Sequence, residues 1–336
     1  MLLSILVVSH NQRDLLERCI ESILAQTIPF EYEVIISDDN SSDGTYELAK
    51  EYERNFPNIA AYRCDSNDCA PKIILHRSGW NRCNAYKYAK GKYFAHVDAD
   101  DYFQEGSDIY WKQVELLEKH PECGCCMANL IEVKSGDSIE LGKLRHGEGE
   151  FQTGQVITSD FFINSVGFIE HSAFVYRRHP EVDLVQLYGK RYDDEIITMH
   201  HLQFGNIVCL DDWGYVYVKY PKSITAEMSK TADYIVTWCM ALYVPQLIPK
   251  WRNVYYRSHL RDILAVVRLA RNGYCLQDDN YNAFCDLGLY IYRAFNRKLT
   301  IVDRIRLWII VRYLKFLIRG NIASDSCMSF LYMLLH

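Results

Sequence analysis

The chain has 336 residues, 49% of them hydrophobic, which is enough to bury a sizeable core and to form about two domains. Its net charge of −6 and pI near 6.0 exclude a strongly basic, nucleic-acid-binding character and leave any attraction to an anionic membrane to local patches. Twelve cysteines are scattered from Cys19 to Cys327 with no export signal ahead of them, so they read as small buried hydrophobes of a reducing compartment, without disulfides.

Residues 1–8 are apolar but short, with no basic flank and no cleavage site, and are expected to be a first buried strand. After Ser9-His10-Asn11, the apolar residues Leu15, Leu16, Cys19, Ile20, Ile23 and Leu24 recur at helical spacing, with Asn11 and Asp14 placed to cap the helix. The order repeats at once, with a strand at 33–37, a polar loop at 38–45 and a helix at 46–56. A third strand is expected at 59–63, a helix at 81–90 and a strand at 93–97. Such alternation predicts a parallel sheet with helices on its faces, and ligands of these sheets bind at the carboxyl edge of the strands. Farther on, the pattern predicts a strand near 123–133, a helix at 193–203 and an alternating strand at 214–219. From about residue 230 it is almost wholly helical. No stretch reaches about 18 uncharged apolar residues, so a cytoplasmic chain without a membrane span is expected.

One of the polar edges carries Asp98, Asp100 and Asp101 just beyond an apolar strand. Three carboxylates this close repel one another unless a cation offsets them, and a hard divalent ion that keeps positions open for phosphate oxygens suits them. An acidic turn facing solvent is the plain alternative. Asp38 and Asp39 lie at a second edge, where they could equally cap the following helix.

Four blocks then coincide in order: Ser4 to Asn11 with Ser22-Ile23-Leu24-Ala25-Gln26-Thr27; Glu33 to Thr45; Arg82 through Ala89-Lys90-Gly91-Lys92-Tyr93; and the Asp98 run. Together they cover roughly residues 4 to 103 and resemble the inverting family 2 glycosyltransferases. The resemblance implies an α/β GT-A fold, a mostly parallel sheet flanked by helices, with a C-terminal helical extension. It divides the chain into a nucleotide-sugar-binding half at 1–105, an acceptor-binding half at 106–222 and a helical region at 223–336. The implied enzyme is a hexosyl- or N-acetylhexosaminyl-transferase that uses Mn²⁺ or Mg²⁺ and a nucleotide-sugar donor, by preference a UDP-sugar, with a glycan or lipid-linked acceptor. By the same resemblance Ser9, His10 and Asn11 lie against the nucleotide, Asp39 accepts from the uracil imide, Asp98 meets the ribose, Asp100 ligates the metal and Arg82 lies near the diphosphate. His10 stands where tyrosine is commoner, so the base would stack on imidazole; Cys83 stands where the family has asparagine.

Inverting transfer also needs a carboxylate across the cleft to take the acceptor's proton. Tyr192-Asp193-Asp194-Glu195-Ile196, followed by Gly205 and an apolar strand, resembles the family block that carries this base. In that register Asp194 is the base and Asp193 its neighbour, although all three acids could simply charge the first turn of a helix. Glu170 and His171 precede another apolar strand where the family places acceptor contacts, and Asp101 is expected to support Asp100.

Cys123-Gly124-Cys125-Cys126 has no second ligand pair at zinc spacing and reads as a core strand. Residues 299–319 place Arg304, Arg312, Lys315 and Arg319 on one side of a helix opposite apolar residues, the pattern either of a docked helix or of one lying on the inner membrane face. Two rival functions fit an α/β domain with acidic residues: a sugar nucleotidyltransferase, disfavoured because no Gly-rich, basic phosphate loop follows the first strand, and a non-catalytic nucleotide- or sugar-binding module.

Overall fold

A computed structural model describes residues 1–64, 74–134, 151–162, 171–179 and 194–220. All of them belong to the first of two compact units, Met1–Ala226; the second, Glu227–His336, lies outside the described residues together with the helix expected at 299–319. No helix among the described residues is long and apolar enough to cross a membrane.

A single nine-stranded sheet organises the unit. In chain order its strands are β1 (Leu3–Ser9), β2 (Tyr32–Asp39), β3 (Ile59–Cys64), β4 (Tyr93–Asp98), β5 (Tyr102–Phe103), β6 (Cys123–Lys134), β7 (Val156–Ile157), β8 (Phe174–Arg177) and β9 (Asn206–Lys219). The helices of eight residues or more are α1 (Arg13–Leu24), α2 (Thr45–Asn55), α3 (Ile74–Lys87), α4 (Ile109–Lys119) and α5 (Asp194–His201). The sheet order is β3-β2-β1-β4-β8-β6-β9-β5, with β7 also on β9. Strands β3, β2, β1 and β4 are mutually parallel. Because β8 is antiparallel to both β4 and β6, β6 runs with β4, and β9 is parallel to β6.

β1 is buried along its whole length, which is why its apolar run is continuous and not alternating: helices cover both faces of a central parallel strand. α1 buries Leu16, Cys19, Ile20 and Ile23, a stripe at helical spacing. Its cap differs from the one expected. Gln12 occupies the N-cap without a side-chain bond, while Asn11 adopts φ 52° and its Oδ1 accepts from the Ser42 amide at 2.8 Å. Asn11 therefore ties two loops together instead of closing its own helix. α3 starts at Ile74, ahead of the expected Asn81, and β9 is one strand where two short ones were expected, because bulges in its pairing with β6 let it bend without breaking. The cysteines of the second half behave as small hydrophobes: Cys123, Cys125 and Cys126 on β6 and Cys209 on β9 are buried and free.

The aromatic core lies where β4 meets β8. Phe94 stacks on Tyr176 at 5.3 Å and Tyr176 on Phe174 at 5.6 Å, and the buried Tyr176 hydroxyl is satisfied by Thr198 Oγ1 of α5 at 2.8 Å. Burying rings of this size contributes roughly 1.5–3 kcal/mol each, and the stack seats α5 on the sheet.

At the amino edge of the sheet a polar clamp sets the strand register. Ser4 Oγ donates to Glu33 Oε1 at 2.7 Å and accepts from the Gly91 amide at 2.8 Å, while the Lys90 amide also donates to Glu33 Oε1 at 2.7 Å. The turn into β4 is thus bonded to β1 and β2 together. It packs so closely that a Cβ on Gly91 would stand 2.6 Å from the Ser4 nitrogen and 2.6 Å from the Tyr93 carbonyl, both backbone atoms. Gly91→Ala is therefore expected to cost about 1–3 kcal/mol, the scale of overpacking, lowering the unfolding midpoint by roughly 3–10 °C in a domain of this size. A calorimetric midpoint within about 1 °C of the unaltered chain would show that the turn has room to give.

Candidate active site

The register places three chemistry-bearing residues side by side at the carboxyl edge. Ser9 pairs with Asp38 across β1 and β2, and Val8 with Asp98 across β1 and β4. Asn81 of α3 reinforces this edge: its buried Nδ2 donates to the Ser9 carbonyl at 3.2 Å and to the Ser37 carbonyl at 3.0 Å.

The first two loops are laced into one wall. Asp38 is buried; its Oδ2 accepts from the Ser41 amide at 2.9 Å and its Oδ1 from Ser9 Oγ at 3.4 Å. Ser41 Oγ accepts in turn from the Asn11 amide at 2.8 Å. His10 Nδ1 lies 2.7 Å from the Asp39 carbonyl oxygen, an acceptor only, so the proton sits on Nδ1 and Nε2 can accept from Asn11 Nδ2 at 3.1 Å. The imidazole side chain is 42% exposed and fixed at one edge, whereas the Asp39 carboxyl is only 3% exposed. A base meeting Asp39 must reach into the loop.

The acidic loop follows β4, on the other side of β1 from β2. Its backbone is pinned by the Ala99 amide donating to the Val8 carbonyl at 3.0 Å and the Asp101 amide donating to the Asp98 carbonyl at 3.0 Å. Each aspartate then has a different environment. Asp98 receives Arg82 Nη2 at 2.8 and 2.9 Å, one to each carboxylate oxygen. The resemblance sets Arg82 toward a diphosphate and Asp98 toward a ribose; here they pair with each other, which supplies the buried guanidinium with a counter-charge. Asp101 is buried, accepting from the Tyr215 hydroxyl and from the Val218 amide at 2.8 Å, both on β9. Burial, and next the negative charge of Asp98, push the Asp100 carboxyl up to about 7. Burial followed by Asp100 and Asp98 holds Asp101 well above the usual carboxylate range.

Oxygen atoms of Asp98, Asp100 and Asp101 all lie within 4.8 Å of one another. Clustered hard oxygen donors whose charge is only partly offset by Arg82 fit Mn²⁺ or Mg²⁺, since a dication would supply the attraction that burial and crowding remove.

The acceptor side is described in part. α5 begins at Asp194, so that residue stands at a helix N-terminus, but its side chain, and Asp193 and Glu170 entirely, lie outside the described residues. His171 occupies a 3-10 turn (His171–Ala173), fully buried with its ring 5.8 Å from that of His96. It is packed into the interior, because this turn delivers β8 between β4 and β6. Cys83 is likewise buried. Asn81 and Tyr215 were not anticipated from sequence. Asn81 is polar on the covered side of its helix, and Tyr215 is an inward tyrosine whose hydroxyl needs a partner.

The chain resembles known proteins in sequence and in fold. The profile of glycosyl transferase family 2 matches residues 4–181, more than half of the chain. The poly(ribitol-phosphate) beta-glucosyltransferase of Bacillus spizizenii is 33% identical over 112 residues, 33% of this chain and 17% of that protein. The Escherichia coli UDP-Glc:alpha-D-GlcNAc-diphosphoundecaprenol beta-1,3-glucosyltransferase WfaP is 32% identical over 102 residues, 30% of this chain and 36% of that protein. The matched stretches thus span well under two thirds of these relatives' own length. The crystal structure of S. aureus TarS 1-349 in complex with UDP-GlcNAc superposes with a TM-score of 0.59 at 18% identity, over 88% of this chain and 81% of that one, so the fold is shared. The sheet with its flanking helices has the GT-A architecture, and the chain belongs to glycosyl transferase family 2.

Proposed function

We propose that this chain is an inverting, metal-dependent glycosyltransferase that moves a sugar from a UDP-sugar to a glycan or lipid-linked acceptor. The observation that carries the reading is the clustering of Asp98, Asp100 and Asp101 oxygens beside the laced Ser9–Asn11 and Asp38–Ser42 wall. The names of two relatives, one acting on poly(ribitol-phosphate) and one using UDP-Glc with a diphosphoundecaprenol-linked sugar, support the donor and acceptor classes.

In this reading residues 1–105 bind the donor and 106–222 the acceptor. His10, Ser9 and Asn11 hold the base, Asp39 accepts from its imide, and Asp98 meets the ribose as Arg82 turns toward the diphosphate. Asp100 holds Mn²⁺ or Mg²⁺, with Asp101 as its support. When bound, the cation neutralises the charge that develops on the leaving diphosphate. Asp194, at a helix N-terminus that favours its charged form, takes the acceptor hydroxyl's proton as that oxygen attacks the anomeric carbon from the face opposite the diphosphate. Asp193, Glu170 and His171 are assigned to the acceptor side, His171 from beneath the surface.

A panel of nucleotide sugars assayed for hydrolysis and transfer in Mn²⁺ tests the donor side. Chelation is expected to abolish turnover, and Asp100→Ala to lower kcat/KM by about 10²–10³, the scale of removing one preorganised charge-stabilising group; turnover indifferent to both would overturn the metal role. Thermal shift should respond to UDP and not to GDP, and Asp39→Ala should erase that preference; equal responses would remove Asp39 from base recognition. For the acceptor side, Asp194→Asn is expected to cut kcat by about 10²–10⁴ while UDP affinity stays unchanged. A full rate in that variant would pass the base to Asp193 or Glu195.

The basic face of 299–319 is assigned to an anionic membrane surface, in keeping with a lipid-linked acceptor. Liposome flotation should recover the full chain with anionic vesicles and lose it when Arg304, Arg312, Lys315 and Arg319 are changed to glutamine. Flotation unaffected by those changes would place membrane contact elsewhere.

A further inference from the structure

The acidic loop is held from three sides, and two have been described: Arg82 on Asp98, and β9 on Asp101. The third is α1. Arg18 stands on the exposed side of that helix and turns back to the loop, where its Nη2 donates to the Asp100 carbonyl at 2.7 Å and to the Tyr220 hydroxyl at 3.0 Å. Its guanidinium carbon lies 4.4 Å from the centre of the Tyr102 ring, so the planar group is stacked as well as bonded. One cation therefore joins α1, the acidic loop, β5 and the residue that follows β9.

The Asp100 carbonyl and the Asp101 amide belong to one rigid peptide plane. Arg18 holds its oxygen edge, and the Asp98 carbonyl, accepting from the Asp101 amide at 3.0 Å, holds its nitrogen edge. A plane fixed at both edges fixes the direction in which the Asp100 side chain leaves the backbone. Its two neighbours need no such help, since Arg82 and Tyr215 grip their carboxylates directly. The Asp100 backbone amide, which belongs to the preceding peptide plane, favours the charged carboxylate only in part against burial.

We infer that Arg18 is a positioning residue for the acidic loop: by holding the Asp100–Asp101 peptide plane it aims the Asp100 carboxylate, and through Tyr220 it couples that aim to the chain leaving β9. The inference rests on the reading of Asp100 as a metal ligand. Partners that orient a ligand in this way are typically worth about 10–100-fold in metal affinity.

The test measures Mn²⁺ binding to the full chain with UDP, from the free-ion paramagnetic resonance signal, alongside thermal unfolding. Arg18→Gln is expected to weaken Mn²⁺ binding about tenfold or more with an unfolding midpoint close to that of the unaltered chain. Arg18→Lys should recover part of the affinity, since an ammonium reaches the carbonyl but cannot stack on Tyr102. Tyr220→Phe should fall between. Unaltered affinity in Arg18→Gln, where Asp100→Asn abolishes binding, overturns the role of Arg18 and leaves the metal reading standing. Absence of Mn²⁺ binding in the unaltered chain overturns both. Should Arg18→Gln not fold, unchanged affinity in both Arg18→Lys and Tyr220→Phe overturns the inference.

Discussion

Everything at the carboxyl edge depends on the register of β1 between β2 and β4. Ser4 and Glu33 at one end of these strands, bonded to the Gly91 turn, determine which residues stand level at the other end, some four positions along. Since a strand advances about 3.3 Å per residue and alternates its faces, a slip of one residue would turn Asp98 away from its partner on α3 and take Ser9 out of line with Asp38. The clamp lies at the far end of the strands, yet it decides which residues stand level at the carboxyl edge.

The loop built on that register gathers three carboxylates, and their repulsion is offset locally and unequally. Arg82 serves Asp98, β9 donates two hydrogen bonds to Asp101, and Asp100 is left with its carboxyl pushed up to about 7. Such a distribution suits a site completed by a cation. Burial and the neighbouring carboxylates hold Asp101 above the usual carboxylate range as well, in spite of its two hydrogen bonds.

The second half of the sheet joins the first through tyrosines. β8 enters antiparallel between β4 and β6, carrying Tyr176 into the aromatic stack, while β9 reaches back to Asp101 through Tyr215. The acidic loop is therefore shared between the halves, which the division at about residue 105 does not convey. Physically it is a joint: its carboxylates come from the first half and part of their hydrogen bonding from the second.

The amino-acid sequence by itself determined the strand-helix alternation of the first hundred residues, the acidic run at the end of β4 and the core character of the β6 cysteines. Each of these is written in local periodicity or in a contiguous motif, and local pattern survives folding unchanged. It also singled out Ser9, His10, Asn11, Asp39 and Arg82 as candidates, because their blocks occur in a recognisable order. What only the tertiary structure decided was pairing at long range. That Asn11 would bond the Ser42 amide and not cap α1, that Arg82 would face Asp98, that His171 would be buried beside His96, and that Arg18, Asn81 and Tyr215 would hold the edge together are contacts between residues distant in the chain. A lone arginine on an exposed helix face or a tyrosine in an alternating strand has no local signature of its partner. The partner is supplied by strand order and register, which hydrogen bonding and packing across the whole sheet select together.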